Sequence, residues 1–130
     1  MGAAIECFPG AEAILIPRTR FAPVKTTNDM LALMSDAYTI TPDFRMELVA
    51  ERAGKPPNVK LDSCYKFVDQ MAALVPNGPP SLVKCDKLTI EGKVVLEANV
   101  VFEGDVKIVG GTDAPKTLGA GIYTNQVIEL

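Results

Sequence analysis

The 130-residue chain contains no histidine at all. This one absence removes the commonest general base, the commonest metal ligand and every Ser-His or Cys-His nucleophile pair. Chemistry in this chain is therefore expected to be electrostatic. Basic excess is lacking too: 13 Lys and Arg stand against 16 Asp and Glu, a net charge of -3. Such a balance disfavours nucleic acid as a partner, because binding to phosphodiester backbone by counterion release needs clustered cations. No apolar run approaches the ~20 residues that span a bilayer. The first residues also lack the basic-then-apolar order of a signal peptide, so a cytoplasmic location away from membranes is expected. Cysteine is scarce, with Cys7, Cys64 and Cys85 at wide, irregular spacing. These suggest small buried hydrophobes, not a disulfide framework or a zinc knuckle.

The hydrophobic content of 48% suits a folded chain, and this length buries roughly two-thirds of its unfolded surface when compact. Apolar residues at 1, 4, 5 and 8 predict a short helix stopped by Pro9-Gly10. Ala13-Ile14-Leu15-Ile16, bounded by Pro17, reads as a strand buried on both faces of an α/β sheet. Thr26 or Thr27 can cap the next helix, with Asp29 in its first turn and an apolar side of Met30, Leu31, Leu33, Met34, Ala37 and Tyr38. Residues 41–58 carry Thr41-Pro42-Asp43 and Gly54-Lys55-Pro56-Pro57, and are expected to run irregularly over the surface. A helix is predicted from Asp62 or Ser63 to about Val75, burying Cys64, Phe67, Val68, Met71 and Leu74 until Pro76-Asn77-Gly78-Pro79-Pro80 ends it.

The last part repeats every six residues. Ile90-Glu91-Gly92-Lys93-Val94-Val95, Leu96-Glu97-Ala98-Asn99-Val100-Val101 and Phe102-Glu103-Gly104-Asp105-Val106-Lys107 each place a large apolar residue first, an acid second and valine fifth. Two architectures fit: a β-meander with two-residue hairpins, or a left-handed parallel β-helix with first and fifth residues inward and the small-polar pairs at the corners. Glu91, Glu97 and Glu103 then form a wet outer face, and Ile122 with Ile128 a last pair of rungs. The same repeat occurs in hexapeptide acyltransferases, but those rely on a histidine base that this chain lacks.

One loop stands apart. Ile16-Pro17-Arg18-Thr19-Arg20-Phe21-Ala22-Pro23-Val24-Lys25-Thr26-Thr27-Asn28-Asp29 places three cations in a proline-stiffened approach to a helix start. Pro17 and Pro23 fix φ and bias the preceding residues to extended geometry, so the loop loses little entropy on gripping an anion. This stretch resembles the C-terminal end of the catalytic domain of UTP:glucose-1-phosphate uridylyltransferases, the UDP-glucose pyrophosphorylases. Gly2-Ala3-Ala4-Ile5, Val59-Lys60-Leu61-Asp62-Ser63 and the periodic segment from Leu88 to Ile108 resemble the same family in the same order.

The resemblance implies a C-terminal portion of a larger enzyme, with Met1 not necessarily a biological start. Residues 1–42 would complete an α/β, Rossmann-like nucleotidyltransferase domain, 43–80 a linker and connecting helix, and 81–130 a short left-handed parallel β-helix. It further implies Lys25 as the catalytic phosphate contact to UTP or UDP-glucose, and magnesium held by carboxylates upstream of this chain. The partners implied are the remainder of the same enzyme and, through the β-helix, a second copy. Arg18 and Arg20 match the family's basic loop and are secondary phosphate candidates; the alternative is that they tie loops together through carboxylates. For Lys25 the alternative is an ordinary solvated loop lysine. A purely structural or assembly module is the competing functional class.

Overall fold

The computed structural model describes residues 2–17, 21 and 23–130. Residues Gly2–Cys7 form a 3-10 helix, wound more tightly than the helical spacing expected but stopped at the same Pro9-Gly10. The next stretch departs from expectation. Residues 11–17 form no strand, and Ile14, Leu15 and Ile16 are 87%, 96% and 62% exposed. An apolar run becomes a buried strand only when a sheet receives it, and no described strand pairs with this segment.

From Thr27 onward the chain shares one hydrophobic core. Helix α1, Thr27–Met34, starts where Thr26 caps it and buries Leu31 and Ala32, while Met34 remains exposed. Strands β1, Tyr38–Ile40, and β2, Met46–Leu48, pair antiparallel, so residues 41–58 are more ordered than their composition suggests. The turn between them is closed locally. Thr41 Oγ1 donates to Asp43 and accepts from the Arg45 N–H, Arg45 bridges Asp43 at 2.6 Å and Glu47 at 3.0 Å, and Phe44 takes the left-handed conformation at φ 58°.

A 3-10 turn at Ala50–Arg52 follows, then β3, Asn58–Leu61. Arg52 is buried with no carboxylate partner among the described residues: its Nε donates to the Lys55 carbonyl at 2.8 Å, and its Nη1 to the carbonyls of Val83 at 3.2 Å and Cys85 at 2.6 Å. The predicted helix near residue 63 divides into a 3-10 turn, Ser63–Tyr65, and α2, Val68–Leu74. Extended backbone at Phe67 (φ -101°, ψ 156°) breaks it, leaving Phe67 and Val68 exposed while Tyr65, Met71 and Leu74 are buried.

The remaining strands are β4 (Ser81–Glu91), β5 (Val94–Leu96), β6 (Val100–Val109), β7 (Lys116–Leu118), β8 (Gly121–Thr124) and β9 (Val127–Glu129). One sheet runs β3-β4-β6-β8 with β9 also on β6, and β5 pairs with β7; all these pairings are parallel. A meander of hairpins would pair antiparallel, so that architecture is not the one formed. Leu88 lies opposite Val106 and Ile90 opposite Ile108, three hexads further along the chain. First and fifth hexad residues Ile90, Val94, Leu96, Val100, Phe102, Val106 and Ile108 are all at most 2% exposed. Each contributes roughly 1.5–3 kcal/mol by leaving water.

Corners fall where the small-polar pairs stand, with left-handed backbone at Gly92, Asn99 and Gly104. At Gly104 a Cβ would collide with the Asn125 side chain, whose Oδ1 accepts the Asp105 N–H at 3.0 Å. The final rung differs from expectation: Ile122 points outward, and Tyr123 packs its ring 6.1 Å from that of Phe102. Strand alternation decides this, since Tyr123 stands in register with Phe102. No described helix is long and apolar enough to cross a membrane.

Candidate phosphate-binding site

Lys25 stands two residues before the first residue of α1, with its side chain exposed. Its backbone is held from the helix. Asp29 Oδ2 accepts the Lys25 N–H at 3.1 Å, the Thr26 N–H at 2.9 Å and the Thr26 hydroxyl at 2.9 Å, while Thr26 Oγ1 accepts the Asp29 N–H at 3.5 Å. This is a reciprocal capping box, which satisfies donors that a helix start otherwise leaves bare. Partial burial raises the Asp29 carboxyl's affinity for a proton, yet the donors from Lys25 and Thr26 outweigh it and hold the group below the usual carboxylate range. Asp29 is thus an anion beside Lys25. It partly offsets the field that the helix N-terminus would present to a phosphate.

The first turn of α1 is also tied outward. Asn28 Oδ1 accepts the N–H of Leu61, the last residue of β3, at 3.0 Å. Beside this junction opens a cleft of about 1220 Å³ between α1, the β1–β2 hairpin and the approach to β3, lined by Pro23, Val24, Asn28, Tyr38, Leu48 and Val59 among others. Burial raises the Tyr38 phenol above its ordinary value. Lys25 is not among the residues of the cleft wall. Arg18 and Arg20, the other two cations of the loop, lie outside the described residues.

Chemically, this arrangement offers a compact ammonium on a fixed backbone. The Cys64 and Cys85 thiols are pushed up by burial, Cys85 to about 11, and so are poor nucleophiles. Among the described residues no group of three or more carboxylate or thiol side chains gathers at one point.

Sequence reasoning located Lys25, the cap and Asp29 but gave Asp29 no role. The Asn28 bond to β3 it missed altogether. A capping box was legible in the Thr26-to-Asp29 spacing; the Asn28 bond was not, since its partner lies 33 residues away.

Comparison with known proteins bears on these residues. The family model of the UTP–glucose-1-phosphate uridylyltransferases matches residues 1–103. The Saccharomyces cerevisiae UTP–glucose-1-phosphate uridylyltransferase is 41% identical over 108 residues, 83% of this chain and 21% of the yeast protein. Among solved structures, UDP-glucose pyrophosphorylase from Leishmania major, a mutant of which was crystallised in complex with UDP-glucose, matches 100% of this chain at 43% identity and a TM-score of 0.84. UDP-glucose phosphorylase from Trypanosoma brucei matches 100% of it at 46% identity and a TM-score of 0.82. The chain spans only 28% of each of those two structures.

Proposed function

Because the chain belongs to the UTP–glucose-1-phosphate uridylyltransferase family, we propose that it is the C-terminal part of an enzyme making UDP-glucose and pyrophosphate from UTP and glucose 1-phosphate. An oxygen of the sugar phosphate bonds to the α-phosphorus of UTP, the bond from that phosphorus to the β-phosphate oxygen breaks, and pyrophosphate leaves. Lys25 contacts the α- or β-phosphate and offsets charge that builds there in the transition state. Arg18 and Arg20 are secondary candidates for the same phosphates. Magnesium, where the complete enzyme uses it, is held by residues outside this chain.

The observation that most supports this reading is the match of the whole chain, loop included, to the Leishmania major enzyme at 43% identity. In the same reading residues 1–42 close the catalytic domain, 43–80 connect, and 81–130 form a short left-handed β-helix in a cytoplasmic enzyme. The coiled repeat draws support from parallel pairing three hexads on and from inward first and fifth positions, and its left hand from the family resemblance. A second reading, a non-catalytic module that self-associates through the β-helix, draws on Ile122 and Val127, 68% and 63% exposed on β8 and β9 at the edge of the sheet.

Lys25→Ala in the complete enzyme tests the catalytic reading. Loss of a charge-assisted contact worth about 1.5–3 kcal/mol lowers kcat/KM for UDP-glucose synthesis by roughly tenfold to about 150-fold. Lys25→Arg recovers only part of it, since a planar fork does not replace a compact ammonium. Unchanged kcat/KM in Lys25→Ala would make this lysine an ordinary surface residue. The isolated 130-residue chain is expected to show no turnover.

A further inference from the structure

A lysine side chain is a flexible four-carbon stem, and an ammonium stabilises developing charge only where its backbone holds it still. The means of holding Lys25 lie within four residues of it. Asp29 takes the Lys25 N–H at 3.1 Å and both the N–H and hydroxyl of Thr26 at 2.9 Å. Next to it, Asn28 takes the Leu61 N–H at 3.0 Å. Leu61 pairs in register with Ile90 of β4, and Ile90 with Ile108 of β6, both in the fully buried interior. Helix α1 is only eight residues long, too short to persist alone, so its start is held by the core packing of Leu31 and Ala32 and by the Asn28 bond to β3.

Resting on the reading of Lys25 as a phosphate contact, we propose that Asn28 and Asp29 are positioning residues for Lys25. Asp29 clamps the lysine's backbone to the helix start, and Asn28 clamps that start to the parallel sheet. Strand β3, braced in turn by β4 of the repeat module, thereby serves catalysis as the anchor of the phosphate-contacting lysine. Pure electrostatics predicts the opposite sign for Asp29: an anion beside a phosphate site repels phosphate, so deleting it should speed the reaction.

The test is a double-mutant cycle on the complete enzyme, reading kcat and KM for UTP in UDP-glucose synthesis. Asp29→Ala and Asn28→Ala are each expected to lower kcat about tenfold when Lys25 is present. In the Lys25→Ala background each lowers it less than about twofold, because the group being positioned is gone. Asp29→Glu, which closes the same box, and Asn28→Asp, which keeps the acceptor, recover the rate. The same loss in both backgrounds, a rise in rate on removing Asp29, or no loss while Lys25→Ala is impaired would each overturn the positioning role and leave the phosphate contact standing. A silent Lys25→Ala would remove the contact itself, and the positioning role with it.

Discussion

Tyr65 carries the sharpest stability prediction. Its ring is 5% exposed, and its hydroxyl donates to the Val94 carbonyl at 2.9 Å and accepts the Val94 N–H at 2.6 Å. Val94 is itself 1% exposed, and the Tyr65 hydroxyl is the partner of both its N–H and its C=O. Tyr65→Phe keeps the ring and orphans a buried N–H and a buried C=O, each costing about 1–3 kcal/mol, for a total of roughly 2–4 kcal/mol when partial relaxation is allowed. In a chain of this size a loss of that order lowers Tm by about 8–15 °C. Differential scanning calorimetry at neutral pH measures it.

The pH dependence supplies a second readout of the same group. Burial pushes the Tyr65 phenol up to about 12 from the ordinary 10.0. A raised folded-state value means the native state holds the proton more tightly than the unfolded chain does. The stability tied to Tyr65 is therefore complete below pH 10 and is lost progressively between 10 and 12, at about 1.4 kcal/mol per pH unit. The urea midpoint should fall less steeply across that window in Tyr65→Phe than in the native chain, with the half-buried Tyr38 and buried Cys85 groups keeping part of the slope. Equal midpoints at neutral pH, or an alkaline slope as steep in Tyr65→Phe as in the native chain, would refute the argument.

Two further outcomes follow from buried and exposed groups elsewhere. Arg52→Met keeps volume but strips donors from the carbonyls of Lys55, Val83 and Cys85, and is expected to lower the urea midpoint by the equivalent of about 1.5–3 kcal/mol; Arg52→Lys should rescue little, because one ammonium cannot span acceptors in several directions. The isolated chain is expected to self-associate through the exposed run Ile14-Leu15-Ile16, and replacing all three with serine should restore a monomer by light scattering; association unchanged by the triple substitution would place the sticky surface elsewhere.

Sequence alone determined the features whose physics is short-ranged. The hexad repeat fixes which side chains face inward, because side-chain direction alternates along each strand whatever the neighbours are, and all seven inward positions from Ile90 to Ile108 are buried. Thr26 and Asp29 form their cap within one helical turn, so their spacing sufficed. Tertiary structure decided the rest. Ala13 to Ile16 reads as a buried strand, yet burial is a property of a partner, and the described residues offer none. The segment 41–58 reads as irregular from its prolines and glycines, yet a turn closed by Thr41, Asp43 and Arg45 folds it into a hairpin, and Arg52 fastens it to β4. The bonds from Arg52 to Cys85, Tyr65 to Val94 and Asn28 to Leu61 cross 33, 29 and 33 residues. A side-chain donor or acceptor has no sequence signature for a partner so distant: the fold brings the two together, and only then does burial make the bond costly to lose.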